Sequence, residues 1–173
     1  NFRLKGLDRL LAAVAALSRR GAALHVLVAG RGTGPFQRYA AERLILRLGL
    51  EGRVTLAGDV SPSIQALAAA DVLAHLSWHD SFGFAVLEAM ATGLPVVTTR
   101  GAGASEIVRD GISGFVVDPA DAAQVERAFE RLHTDRALRV NMGRSAHESA
   151  RRHDEAVSFR GVLEVMKSAC SDG

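Results

Sequence analysis

The stretch WHDSFGFAVLEAMATGLPVVTT, Trp78 to Thr99, decides the fold. It opens as a polar loop, turns helical at GFAVLEAMATG and closes on the β-branched run PVVTT, which reads as a buried strand. Just before it, DVLAHLS (71–77) is a second short apolar run with strand character. Strand, helix and strand within about 30 residues make a βαβ unit, and such a unit places its two strands parallel in one sheet.

The same alternation continues in both directions. Upstream, GLDRLLAAVAALSRRG carries Leu7, Leu10, Leu11, Val14 and Leu17 at helical spacing and stops at Gly21. ALHVLVAG follows as a strand, FQRYAAERLILRLGL as a helix closed by Gly49, and RVTLAG as a further strand. SPSIQALAAA predicts a helix capped by Ser61 with Pro62 at its first position. Downstream, a helix around Ala104 to Val108 precedes the strand GFVVDP, and helices are predicted from about Ala120 to the end. The pattern predicts an α/β fold: a Rossmann-like parallel sheet of about six strands, with right-handed crossovers placing helices on both faces.

Composition narrows the function classes. A chain of 173 residues, 48% hydrophobic and 23% charged, has the length and balance of one globular domain with a sizeable core. Net charge is only +2, and the pairs Arg19–Arg20 and Arg151–Arg152 stand apart, which argues against nucleic acid as a partner. The single Cys170 rules out an internal disulfide and is consistent with a reducing compartment. The longest apolar runs fall well short of the roughly 20 residues of a membrane-spanning helix. The chain opens on Asn1 rather than Met, so a piece of a longer protein is expected.

Open parallel sheets bind ligands beyond the carboxyl ends of their strands. Three loops therefore stand out. GRGTGP, Gly30 to Pro35, resembles a dinucleotide fingerprint, but the third glycine of that pattern is absent and no ribose-binding acid ends the next strand. It reads equally as a tight turn needing positive φ. RGAGAS, with its glycine pair Gly101 and Gly103, permits close backbone approach or is a plain strand-to-helix turn.

The third loop holds two carboxylates, Asp80 and Glu88, separated by seven residues. A helix starting near Gly83 or Phe84 offers backbone N–H groups and a positive dipole end around Phe82 to Ala85, an anion site. Glu88 lies one turn inside, and its side chain leans back toward that end. Carboxylates repel phosphate but accept from hydroxyls. Two acids flanking an anion-binding helix terminus suit a diphosphate with a polyol at each end, which describes a nucleotide sugar. The competing reading makes Asp80 a helix cap and Glu88 a solvated surface residue.

At these residues the chain resembles the retaining glycosyltransferases with two Rossmann-like domains (the GT-B fold, glycosyltransferase family 4). DSFGFAVLEAMATGLPVVTT is similar to their E-x7-E signature and GAGASEIVRDGISGFVVDP to the segment after it. FRLKGLDRLLAAVAAL and RVTLAGDV are similar to two further landmarks in order and spacing, so the resemblance covers nearly the whole chain. In particular, NFRLKGLDRL is similar to lipopolysaccharide core hexosyltransferases. The resemblance implies that residues 1–173 form the nucleotide-sugar, donor-binding half of such an enzyme. The N-terminal acceptor domain would lie outside this chain.

Residue by residue, the resemblance implies that Lys5 neutralises the donor diphosphate and Glu88 accepts from the ribose hydroxyls. Asp80 takes the place of the first glutamate, one methylene shorter, and is the expected catalytic residue against the transferred sugar. Phe82, Gly83 and Phe84 would present backbone amides, with Gly83 allowing close approach. Val60 would flank the base, and Arg3 or Gly30 would extend the donor site. Departure of a nucleoside diphosphate with retention follows, with the leaving phosphate taking the acceptor's proton and Asp80 orienting rather than attacking. His79 beside it is expected to be a surface or capping residue, and His25 and His75 to be satisfied core residues in apolar strands. No metal-ligand set is seen, so no cofactor is expected, and the resemblance implies a cytoplasmic enzyme, peripheral at the inner membrane face through its other domain. The rival readings are a nicotinamide-dependent oxidoreductase using Gly30 to Gly34 and a noncatalytic nucleotide-binding module.

Overall fold

The structure is a computed structural model that describes residues 5–30, 35–61 and 63–153. In chain order the elements are α1 (Leu7–Arg19), β1 (Val26–Ala29), α2 (Pro35–Leu48), β2 (Val54–Gly58), α3 (Ile64–Ala68), β3 (Leu73–His75) and α4 (Phe84–Ala91). β4 (Val96–Thr99), a 3-10 turn (Gly103–Ile107), β5 (Gly114–Val117), α5 (Ala122–Thr134) and α6 (Arg136–Arg151) follow. Within the described residues each strand and helix segment named from the sequence has its counterpart. The segment around Ala104 is a 3-10 helix rather than an α-helix, too short for a second turn.

Local chemistry accounts for the boundaries. α1 buries Leu7, Leu11, Val14 and Leu17 along one stripe. It ends where Gly21 adopts φ 93°, with the Gly21 N–H on the Ser18 carbonyl and the Ala22 N–H on that of Leu17. Asp121 and Asp135 cap α5 and α6 by accepting from the amides of Gln124 and Leu138. At α3 the predicted Ser61 cap is not found: Ser63 stands at the N-cap, and its hydroxyl is engaged elsewhere.

All strand pairings are parallel, β1 with β2 and then β3–β4–β5. The predicted single sheet of about six strands is instead five described strands in two sheets, because no described strand bonds β1 or β2 to the other three. Helices cover both faces of the three-stranded sheet. Successive residues of a strand point to opposite faces, and Val97 packs among residues of α1 and α5 while Val96 packs among residues of α4 and α6. All four residues of β4 are buried, as expected of a central strand. β1, β2 and α2 form a smaller core with the other side of α1. α5 packs on α1, and α6 on α4. Among the described residues no helix is long and apolar enough to cross a membrane.

Candidate donor site

Beyond the carboxyl end of β3 lies a cavity of about 240 Å³ lined by Lys5, His75, Asp80, Ser81, Phe82, Gly83, Phe84 and Ala85. Its floor is the first turn of α4. Gly83 is the N-cap with φ 86°, a left-handed conformation open to glycine but costly for side chains, and no side chain caps the helix. The α4 N-terminal amides therefore face the cavity with their positive dipole end. This disposes of Asp80 as a cap.

Asp80 is fixed through its backbone. Its N–H donates to Gly101 O at 2.9 Å, and its carbonyl accepts from the Gly103 N–H at 3.1 Å. The Ala104 N–H donates to Phe82 O at 2.6 Å, so the glycine-rich segment runs beside the acid loop like a short parallel strand. The close approach that the two glycines permit is thus toward the chain itself. A Cβ on Gly103 would stand 2.5 Å from Ser81 O, and one on Gly101 would overlap Trp78 O.

Lys5 reaches the same place from the start of α1. Gly6 adopts φ 81° and presses so closely on Leu76 that a Cβ would overlap its carbonyl. Arg9 lies over the Trp78 ring at 4.4 Å, a cation–π contact tying α1 to the loop. With α1 held there, Lys5 forms an ion pair with Asp80, although the two are 75 positions apart. The Lys5 ammonium holds the Asp80 carboxyl below the usual carboxylate range.

Sequence reasoning missed His75. It is buried, as expected of a strand residue, but its Nε2 is not satisfied by the core: it lies 3.2 Å from Asp80 Oδ2, out of line for a full hydrogen bond. Burial pushes its pKa down, opposed by Asp80 and assisted by Lys5. The available signal was its position five residues before the acid, at the carboxyl end of a strand. His25 is exposed rather than in the core, just before β1, with Nε2 2.8 Å from Thr55 Oγ1. His79 does not line the cavity.

The remaining predicted residues lie apart from the cavity lining. Glu88 is exposed on α4 and accepts from Ser63 Oγ at 2.9 Å, so it already holds a hydroxyl. Val60 is half-buried just after β2. Gly30 directly follows β1 with φ 142°, and its N–H donates to Gly58 O at 2.7 Å. Arg3 lies outside the described residues, as do Arg31 to Gly34 of the first glycine loop and the predicted helix beyond His153.

Cationic, carboxylate and helix-terminal groups converging on a cavity this small can hold part of a longer anionic molecule, since whole drug-sized ligands occupy about 300–1,000 Å³. The model of the family described as glycosyl transferases group 1 matches residues 2–149. The lipopolysaccharide core biosynthesis glycosyltransferase LpsE of Rhizobium meliloti is 37% identical over 145 residues, 84% of this chain and 41% of that protein. The D-inositol 3-phosphate glycosyltransferase of Corynebacterium kroppenstedtii is 34% identical over 177 residues, 99% of this chain and 39% of that protein. The chain thus spans about two fifths of the length of these curated relatives. Among solved structures, Anabaena Alr3699/HepE in complex with UDP-glucose superposes with a TM-score of 0.82 at 28% identity, over 96% of this chain and 46% of that one.

Proposed function

The chain belongs to the group 1 glycosyl transferases, and from that premise we propose that it is the donor-binding part of an enzyme that transfers a sugar from a nucleoside diphosphate sugar to a glycan or lipid acceptor. The observation that carries this reading is the convergence of Lys5 and Asp80 on the N-terminus of α4. Lys5 and the helix-terminal amides neutralise the diphosphate, and their effect grows as charge develops on the leaving phosphate. Asp80 accepts from the hydroxyls of the transferred sugar and orients its anomeric carbon. Glu88, one helical turn along the same helix, takes the ribose hydroxyls at the opposite end of the diphosphate.

Transfer proceeds with retention: the bond from the anomeric carbon to the phosphate oxygen breaks, the acceptor oxygen bonds to that carbon on the same face, and the leaving phosphate oxygen receives the acceptor's proton. The acceptor is read by a further domain outside this chain. Relatives of similar identity whose names specify a lipopolysaccharide core and an inositol phosphate agree with acceptor choice lying elsewhere. The test is a saturation-transfer screen of this chain against UDP-, GDP- and ADP-sugars. Binding of one nucleotide series, with ribose and sugar protons both saturated, is the expected result. No binding to any series would sink the proposal.

A further inference from the structure

The buried imidazole of His75 is the feature that the donor reading leaves unused. Its residue is 9% exposed, and Nε2 has no full hydrogen-bond partner. A buried polar atom of this kind calls for a reason, because leucine would fill an apolar strand at less cost. The ring's surroundings supply one. In register with His75, β4 places Thr98, two residues from the α4-facing Val96, so both side chains lie on the α4 side of the sheet. There Nε2 lies 3.2 Å from Asp80 Oδ2 and 3.1 Å from where a Cβ on Gly83 would stand. The ring is wedged between the acid and the left-handed turn that opens α4.

We infer that His75 is a positioning residue, directing an Nε2 proton at Asp80 Oδ2 and thereby leaving the other carboxylate oxygen to the transferred sugar. The last clause rests on the donor reading above; the pairing of His75 with Asp80 does not. The charged groups facing the ring are Asp80 and Lys5, while β4 places the uncharged Thr98 in register with His75 and α4 sets its opening glycine beside the ring. Burial lowers the basicity of the ring, against Asp80, which raises it, and so favours the neutral form, which donates without adding charge beside the carboxylate. Gly83 is required twice over, for its positive φ and for the room it leaves the ring.

The test uses this chain labelled with ¹⁵N-histidine and ¹³C-aspartate carboxyl. Long-range proton–nitrogen spectra should show His75 neutral at pH 7 with its proton on Nε2, and its titration should move to lower pH in Asp80→Asn. The Asp80 carboxyl titration should move upward in His75→Leu and return in His75→Gln, whose amide nitrogen sits where Nε2 does. A proton on Nδ1, indifference of the ring to Asp80→Asn, or equal carboxyl titrations in the Leu and Gln variants would each overturn the pairing. The Gln variant and the wild-type spectra stand even if His75→Leu fails to fold. A second arm titrates UDP and UDP-glucose: preference for UDP-glucose over UDP should fall about three- to tenfold in His75→Leu, the range of one hydrogen bond, and recover in His75→Gln. If no UDP-, GDP- or ADP-sugar binds the wild-type chain, the donor reading fails, while the spectra still decide the pairing.

Discussion

Lys5 and Asp80 neutralise each other across the mouth of the α4 cavity, so the cation assigned to the phosphate and the acid assigned to the sugar share one ion pair. From the sequence alone, Asp80→Asn should leave nucleoside diphosphate affinity nearly unchanged. The ion pair changes that expectation. A diphosphate approaching α4 competes with Asp80 for the ammonium and is repelled by the carboxylate. Asp80→Asn should therefore tighten UDP binding, by up to about 1 kcal/mol or fivefold, the ceiling for a pair whose lysine is 60% exposed. Lys5→Met should weaken it. Calorimetry with UDP reads both, and weaker binding in Asp80→Asn would place the acid on the ribose hydroxyls rather than on the transferred sugar.

Glu88 has a different neighbour and a different prediction. Ser63 Oγ donates to its exposed carboxylate at 2.9 Å, so Glu88 accepts from a neighbouring hydroxyl. Glu88→Gln keeps the shape but removes the charge from an acceptor, so UDP affinity should fall by about 1.5–3 kcal/mol. Ser63→Ala should leave affinity within about 0.5 kcal/mol, the usual range for a surface change. If Glu88→Gln binds UDP like the wild type, Glu88 is an ordinary solvated helix residue.

These two acids, and the helix that carries the second, were legible in the sequence because strand, loop and helix leave distinct traces and a carboxylate in such a loop is conspicuous. The same holds for β4, whose four buried residues are a continuous β-branched run. What stayed hidden depends on contacts between distant segments. His75 sits in an apolar run and reads as core; only the fold turns its ring toward Asp80. Gly101 and Gly103 read as a turn or a ligand cradle, and only their pairing with residues 78–82 shows that they seat the acid loop. The split of the strands into two sheets depends on which edges bond, which alternation does not encode.

Acid should destabilise the fold in two stages. His75 has a folded pKa lowered by burial, so the unfolded chain binds the proton more readily, and stability present above the unfolded value of about 6.5 declines as pH falls below it. Asp80 has a folded pKa lowered by Lys5, so its contribution is present above the unfolded carboxylate value of about 4 and is lost as pH falls further. Denaturant midpoints measured across this range should show both slopes. His75→Gln should flatten the upper one, and Asp80→Asn should flatten the lower while steepening the upper, because His75 then titrates at lower pH. An upper slope unaltered by His75→Gln would assign it to other groups.

Gly103→Ala tests whether the glycine segment holds the acid loop in place. The glycine's φ is not in the left-handed region, so alanine meets no backbone strain there. The cost is steric: its Cβ would stand 2.5 Å from Ser81 O and 3.2 Å from Phe82 Cα, both backbone atoms that no rotamer change can move. Either the loop shifts outward or the Gly103 to Asp80 hydrogen bond lengthens, and overpacking of this kind costs about 1–3 kcal/mol. For a domain of this size that lowers the melting temperature by about 2–4 °C per kcal/mol. Because the displaced backbone carries Asp80 and Phe82, UDP-sugar affinity should fall together with stability. Gly111→Ala supplies the comparison: φ there is 73° with nothing within 4 Å of a new Cβ, so strain alone destabilises at a point remote from the cavity lining. Equal stability losses with donor binding impaired only in Gly103→Ala would establish that the segment seats the site; donor binding preserved in Gly103→Ala would show that the acid loop keeps its geometry without it.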